Sequence, residues 1–375
     1  MRIIYLSNSV IPSRTANSIS VMKMCQAYAD LGHEVTLLAP NRYYSFEQNV
    51  DDTYDFYGVK NNFSIEHLAA PKIRGNFLIY LFQCARYLRR NKADLITGQF
   101  PQACAIATAL GLPTILEAHG PSWKNRWMEK FALNKLASAP SLLGITTNSP
   151  SLKEMYLQAG YLDGSKIIAT PNGADIPTPT SKEITRWQNT TDRLQIGYFG
   201  HLFEGRGIEI IIGCAKKLVD MDFHIVGGTE VDIEKWKSQS NDITNIIFHG
   251  FIPQNKIQSY REQCDILLAP YQKHVGVFAG KEETSAYMCP MKIIEYLSSK
   301  RTFIASDLPA IRALVDDEVA TFAQPDDIDD WTTKINSLRS KATRESVAAK
   351  GYDLFLRELT WLKRAEKTLS LIDGH

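Results

Sequence analysis

The chain has 375 residues, 44% of them hydrophobic and 22% charged, and a formal net charge of +1. Its length fits two domains with apolar cores. A charge so near zero argues against a nucleic-acid partner. Without a run of 18 apolar residues there is no predicted membrane span. The opening Met1 to Leu6 reads as a strand rather than a signal peptide. The expectation is a cytoplasmic protein, with a peripheral place at the inner face of the cytoplasmic membrane as its extension. Residues 1–180 carry 17 Lys and Arg against 13 Asp and Glu, and the remainder 25 against 28. Six scattered cysteines without a Cys-x-x-Cys pair read as buried free thiols.

Residues 2–6 predict a short buried strand. A loop with Pro12 and Ser13 leads to a helix from about Ser18 to Leu31, closed by Gly32, and Glu34 to Ala39 gives the next strand. This opening begins a parallel α/β sheet. Further short strands follow at 94–97, 113–117 and 142–146. A second series starts at Leu194 to Phe199 and continues at 223–227, 246–249 and 266–270. Between the series, Pro177, Pro179 and polar residues to Asp192 mark a linker. The fold class is therefore α/β, with two doubly wound Rossmann-like domains over 1–176 and 193–350, joined by a hinge over 177–192. Neither first strand is followed by Gly-x-Gly-x-x-Gly, and there is no Walker A motif, which argues against a dehydrogenase and a P-loop ATPase. Ligands of such sheets lie beyond the strand carboxyl ends, so a substrate is expected in a cleft between the two loop edges.

Several residues fall on those edges. Gly200-His201-Leu202-Phe203-Glu204-Gly205-Arg206-Gly207 links a strand to a helix starting near Ile208. Glycines, a helix N-terminus and Arg206 suit a phosphate or pyrophosphate; an ordinary turn with a solvated Arg is the other reading. Pro290-Met291-Lys292-Ile293-Ile294-Glu295 opens a second such helix, with Lys292 near its positive end. Glu295 is either a ribose-hydroxyl acceptor or a surface glutamate. His119, in Glu117-Ala118-His119-Gly120, follows a strand of the first domain and is either a sugar-hydroxyl ligand or structural. The remaining His33, His67, His224 and His249 read as structural or solvated, with His274 left open. Asp326-Asp327-Ile328-Asp329-Asp330 precedes a helix and reads as N-terminal capping rather than a metal site.

Taken in order, these pieces resemble glycosyltransferase family 4, retaining enzymes with the GT-B fold. The resemblance spans nearly the whole chain: Gly32-His33-Glu34-Val35, Pro171-Asn172-Gly173-Ala174-Asp175, Phe199 through Gly207, Ile225-Val226-Gly227, Phe248-His249-Gly250-Phe251-Ile252-Pro253, Pro290 to Leu297, Ala305 to Ala310, and Leu359-Thr360-Trp361. It implies a metal-independent retaining hexosyltransferase without a cofactor. The donor would be a nucleotide diphosphate sugar held mainly by the second domain, and the acceptor a saccharide or lipid-linked saccharide. Arg206 stands where the family has a phosphate-binding lysine. Glu295 matches the second glutamate of Glu-x7-Glu, Gly250, Phe251 and Ile252 the loop beside the nucleobase, and His119 the histidine near the transferred sugar. With Met291, these complete the expected donor side. The segment 351–375 is expected to cross back as a terminal helix onto the first domain, the acceptor side.

Three positions depart from the family pattern. Tyr287 stands where the first glutamate belongs, His201 replaces an arginine, and Arg14-Thr15-Ala16-Asn17 replaces paired glycines, leaving Asn17 or Arg14 to contact the donor or acceptor. Residues of the loop 271–290 (Tyr271, Gln272, Lys273, His274, Lys281, Glu282, Glu283) are expected to set sugar choice. The stretch 72–90 joins an apolar middle to basic ends and reads either as a core helix or as a helix lying on an anionic membrane. A nucleotide-sugar epimerase and a noncatalytic scaffold of the same fold stand as the alternative functions.

Overall fold

A computed structural model of the chain describes residues 1–41, 47, 49–71, 73–124, 127–177, 187, 192–273 and 286–373. The residues form two compact units, Met1–Asn172 with Trp361–His375, and Gly173–Thr360.

The first unit runs β1 (Arg2–Leu6), α1 (Ala16–Asp30), β2 (Glu34–Asn41), α2 (Thr53–Tyr57), β3 (Ser64–Ala69), α3 (Asn76–Arg90), β4 (Leu95–Gly98), α4 (Pro101–Ala109), β5 (Thr114–Ala118), α5 (Trp127–Ala137), β6 (Leu142–Thr147), α6 (Pro150–Ala159) and β7 (Ile167–Ala169). Its seven strands are all parallel, in the order β3-β2-β1-β4-β5-β6-β7. The central strands β1, β4 and β5 are almost wholly buried, as near-continuous apolar runs covered on both faces require. Thr15 caps α1 by accepting from Ser18 N, and Ser149 caps α6 by accepting from Leu152 N. The amphipathic α3 buries Tyr80, Cys84 and Leu88, while Leu78 and Phe82 stand 63% and 62% exposed. The helix thus packs on the core along one face with its basic end exposed, as the core reading expects, and its apolar stripe is wider than the face it packs.

The second unit runs β8 (Leu194–Phe199), α7 (Ile208–Lys217), β9 (Met221–Val226), α8 (Glu230–Ser238), β10 (Ile246–Gly250), α9 (Gln254–Arg261), β11 (Ile266–Ala269), α10 (Met291–Ser298), β12 (Thr302–Ser306), α11 (Pro309–Arg312), β13 (Thr321–Ala323), α12 (Ile328–Ser337) and α13 (Lys341–Glu358). Its six strands, again all parallel, follow the order β10-β9-β8-β11-β12-β13. Alternation along the strands divides the core in two. Phe199, Leu267 and Phe303 pack with Tyr296 and Leu297 of α10 and Phe355 of α13. Tyr198, Phe223 and Leu268 pack with Ile211 of α7 and Trp331 of α12. Each fully buried large side chain stabilises the fold by roughly 1.5–3 kcal/mol. Asp327 caps α12 by accepting from Asp329 N and Asp330 N, the role expected for the acidic run.

The last helix, α14 (Trp361–Asp373), belongs to the first unit, so the chain returns at Thr360 and not near Gly351. Gly351 lies inside α13, where a Cβ would stand 2.7 Å from Leu297 Cδ2, so that stretch is held to the second unit. α14 packs against α1 and carries Arg364 into the first core. There Arg364 pairs with Glu117 at 3.4 Å, both side chains 1% exposed. Tyr5 and Tyr28 hydroxyls donate to the same carboxylate at 3.0 and 3.2 Å, and Arg364 also donates to Asn172 Oδ1 at 2.7 Å. All six cysteines are free, five of them buried. Most of the expected hinge lies outside the described residues; within it Trp187 is buried.

Candidate active site

In the second unit, the chain leaves β8 and turns through Gly200 to Gly207 into α7. The turn is closed backbone against backbone. A Cβ on Gly207 (φ 74°) would stand 1.8 Å from the Pro270 carbonyl oxygen, and one on Gly227 (φ 111°) 2.2 Å from that of Gly200. Only glycine fits such approaches at positive φ. Neither α7, entered through Gly207, nor α10, entered through Pro290, has a side-chain cap, which leaves first-turn N–H groups for a ligand.

Two cations converge there. The Arg206 guanidinium lies 4.7 Å from the Phe203 ring centre and 5.4 Å from that of Tyr271. Its Nε is covered and lacks a hydrogen-bond acceptor among the described residues. Lys292 Nζ lies 3.6 Å from the Tyr198 ring centre and 5.1 Å from that of Tyr271, beside Gly200. Lys292 is only 8% exposed. Burial first, then the neighbouring Arg206 charge, holds its ammonium well below the usual lysine range, against the pull of Glu295. Burial pushes the Tyr271 phenol up to about 12. His201 is exposed and stacks on Phe203 at 5.2 Å; partial desolvation of the ring, followed by the Arg206 and Lys292 charges, lowers its pKa.

Glu295 lies one turn beyond Lys292, in an ion pair with Arg261. The Arg261 side chain is 5% exposed and that of Glu295 25%, so a buried guanidinium fixes a half-covered carboxylate. Arg261 escaped the sequence reading. The signal was present: Ile257, Tyr260, Arg261 and Cys264 share one helical stripe, so a cation occupies an inward position. Gly250, Phe251 and Ile252 follow β10; Gly250 (φ 70°) accepts from Gly227 N at 2.8 Å, Ile252 is buried, and the Phe251 ring is 63% exposed. Met291 is the first residue of α10. The structure thus gathers Arg206, Lys292, His201 and Glu295 at the carboxyl edge of β8 and the start of α10. Of the loop expected to set sugar choice, Lys273 pairs with Asp326 at 2.8 Å, while His274, Lys281, Glu282 and Glu283 lie outside the described residues.

The first unit holds the other two expected residues. His119 directly follows β5, with Nδ1 3.5 Å from Asn148 Nδ2 and Nε2 covered and unpartnered. Burial, helped by Arg364, takes its pKa down to about 3, so the ring is neutral. Asn17, in the first turn of α1, donates to Ser9 Oγ at 2.9 Å. The sequence reading also missed a histidine pair. His224 Nδ1 and His249 Nε2 lie 2.9 Å apart, and Trp187 stacks on the His224 ring at 4.2 Å and lies tilted against that of His249 at 4.3 Å.

A family model described as Glycosyltransferase Family 4 matches residues 18–177, and one described as Glycosyl transferases group 1 matches residues 193–341. No curated protein sequence matches the chain. Among solved structures, HepE from Anabaena in complex with UDP is similar over 100% of both chains, at 13% identity and a TM-score of 0.72. Sucrose-phosphate synthase from Thermosynechococcus elongatus is similar over 100% of this chain and 98% of that one, at 14% identity and a TM-score of 0.71. The lipopolysaccharide outer core galactosyltransferase WaaB in its apo form is similar over 100% of both, at 14% identity and a TM-score of 0.68. At these identities the likeness is one of fold, and the fold is GT-B. With one family match in each unit on that fold, the chain belongs to the glycosyltransferases of the family 4 type.

Proposed function

We propose that the chain is a metal-independent, retaining hexosyltransferase that takes a sugar from a nucleotide diphosphate donor. The acceptor is a saccharide or lipid-linked saccharide in polysaccharide or lipopolysaccharide synthesis. The convergence of Arg206 and Lys292 on Tyr271, between two uncapped helix N-termini, carries this reading. Breaking the bond from the anomeric carbon to the diphosphate leaves negative charge on the departing oxygens. Two cations and two helix dipoles supply matching positive charge without reorganisation. The acceptor oxygen bonds to the anomeric carbon from the face the diphosphate leaves, and the acceptor proton passes to the departing phosphate oxygen. His201, adjacent to both cations, serves as a hydrogen-bond partner to the diphosphate. Glu295, steadied by Arg261, receives the ribose hydroxyls, and Phe251 lies beside the base. Asn17 is the donor contact on the first unit.

Complexes of the structurally similar proteins support the donor class: HepE is solved with UDP and with UDP-glucose, and TarM with UDP and α-GlcNAc-glycerol. A peripheral place at the inner face of the cytoplasmic membrane accords with the surface of the first unit. Leu78 and Phe82 of α3 and Trp127 and Phe131 of α5 are more than half exposed, and Arg86, Arg89, Arg90, Lys130 and Lys135 are exposed on the same two helices. Apolar side chains among cations suit an anionic lipid surface. Among the described residues no helix is long and apolar enough to cross a membrane.

Calorimetry against nucleoside mono-, di- and unphosphorylated forms tests the donor class. Selective binding of a diphosphate, unchanged by EDTA, is expected. Equal binding of nucleoside and diphosphate, or loss of binding in EDTA, contradicts the reading.

A further inference from the structure

Beyond His119, the first unit carries buried polar groups that its own fold leaves unused. Twelve side-chain atoms among the described residues are covered and have no hydrogen-bond partner. Five of them belong to Gln99 (Nε2 and Oε1), His119 (Nε2), Asn148 (Oδ1) and Thr170 (Oγ1). These four residues share one position: each is the first residue after its strand, following β4, β5, β6 and β7 in turn. Those four strands are adjacent in the sheet. Ala118 pairs with Thr147 and Thr147 with Ala169, so His119, Asn148 and Thr170 stand side by side at about 4.8 Å spacing. Gly98 pairs with Leu116, which sets Gln99 two residues lower on the same edge.

The backbones of this row are fixed. Gln99 N donates to Leu6 O at 3.1 Å, Asn148 N to Ala118 O at 3.1 Å, and Thr170 N to Thr147 O at 2.8 Å. A row of orphaned groups on a rigid edge is unusual, because buried polar atoms in folded proteins are nearly always satisfied. Its location is where ligands of parallel α/β sheets bind. Its chemistry narrows the ligand. An amide with donor and acceptor, a second amide oxygen, a hydroxyl and a neutral imidazole nitrogen match groups that both donate and accept. The charged groups beneath the row, Glu117 and Arg364, are paired with each other, so no net charge favours an anion.

We infer that Gln99, Asn148 and Thr170, together with His119, form a binding row for the hydroxyls of a pyranose ring. The inference rests on the transferase reading and names residues of the first unit that hold sugar. Its ligand is either the acceptor saccharide or the transferred sugar of the donor, which share this chemistry. Gln99 and His119 are half-buried at the rim, so a rotamer change brings their polar ends to an arriving ring.

The test uses the full chain and the near-isosteric variants Gln99→Leu and Thr170→Val. Saturation-transfer NMR reads binding of the methyl glycosides of glucose, galactose, mannose and N-acetylglucosamine, and calorimetry reads UDP and UDP-glucose. Each variant is expected to weaken sugar binding about two- to tenfold, the effect of one neutral hydrogen bond, with UDP affinity unchanged. Weakening confined to the glycosides assigns the row to the acceptor, and weakening confined to UDP-glucose assigns it to the transferred sugar. Thr170→Val removes an unpartnered hydroxyl, so its melting temperature should not fall; it remains the reader if Gln99→Leu folds poorly. Wild-type affinities for every probe sugar retained in folded variants would overturn the inference. So would a wild type that binds no glycoside and does not distinguish UDP-glucose from UDP. Failure of UDP alone to bind touches the donor reading and leaves this one standing.

Discussion

Lys292→Met separates the ligand role of the lysine from its structural one. Methionine keeps the unbranched stem within the cover of Tyr198 and Tyr271 and removes only the charge. In the unliganded protein that charge is a burden: Lys292 is 8% exposed, and burial outweighs Glu295 in setting its pKa. The cation–π contact to Tyr198 offsets about 2 kcal/mol of that burden, and burial still wins, so the variant should melt at the same temperature or higher. In the proposed site the lysine would make a charge-assisted contact of ~1.5–3 kcal/mol to a bound diphosphate, and its loss should weaken UDP about 10- to 150-fold. Uridine, which lacks the phosphates, should bind as before. The sign of the pH effect follows from the depressed pKa. Between the folded and unfolded values the unfolded chain holds more protons, so wild-type stability rises with pH through that window, and the variant should lose this rise. Calorimetry with UDP and uridine, and denaturant unfolding from pH 7 to 10, read both effects. Wild-type UDP affinity in Lys292→Met, or an equal loss of UDP and uridine, would refute the placement of Lys292 against the diphosphate.

Two further outcomes follow from buried charge and burial. Arg364→Leu should cost about 3–5 kcal/mol in unfolding of the first unit, since it strands the buried Glu117 carboxylate. Adding Glu117→Gln should recover much of that loss, and a double variant no more stable than the single would contradict the pairing. His224 and His249 have pKa values lowered to about 4, chiefly by burial, so the unfolded chain takes up protons first as pH falls from 6.5. Stability should therefore drop between pH 6.5 and 4 and level off below. His249→Gln should flatten the profile, as followed by urea titration, and an unchanged profile would remove His249 from the account.

The architecture was legible because parallel strands buried on both faces are short apolar runs, as in Ile3-Ile4-Tyr5-Leu6 and Ile266-Leu267-Leu268-Ala269. Strand β3 was missed: Ser64 to Ala69 is an edge strand with mostly exposed side chains, and its polar residues hide the period. The return of the chain was placed early, because a glycine at 351 suggests a break while tight packing on Leu297 is what the structure requires of it. Of the candidate site, the placement of Arg206, Lys292 and Glu295 at one edge was readable from glycines, a proline and helix starts, which are local signals. Arg261 on Glu295 and the row from Gln99 to Thr170 depend on strand order and register. Contacts across 34 residues, or between strand ends far apart in sequence, leave no local trace.

The most direct measurement is turnover by the full chain. Purified enzyme is incubated with UDP-, GDP- and ADP-sugars and a membrane-lipid glycan extract, and nucleoside diphosphate release is followed with wild type and Arg206→Ala. Release from one donor, dependent on the extract and strongly reduced in a folded Arg206→Ala, is the expected result. Release that Arg206→Ala leaves unchanged would contradict the claim that this loop holds the leaving diphosphate.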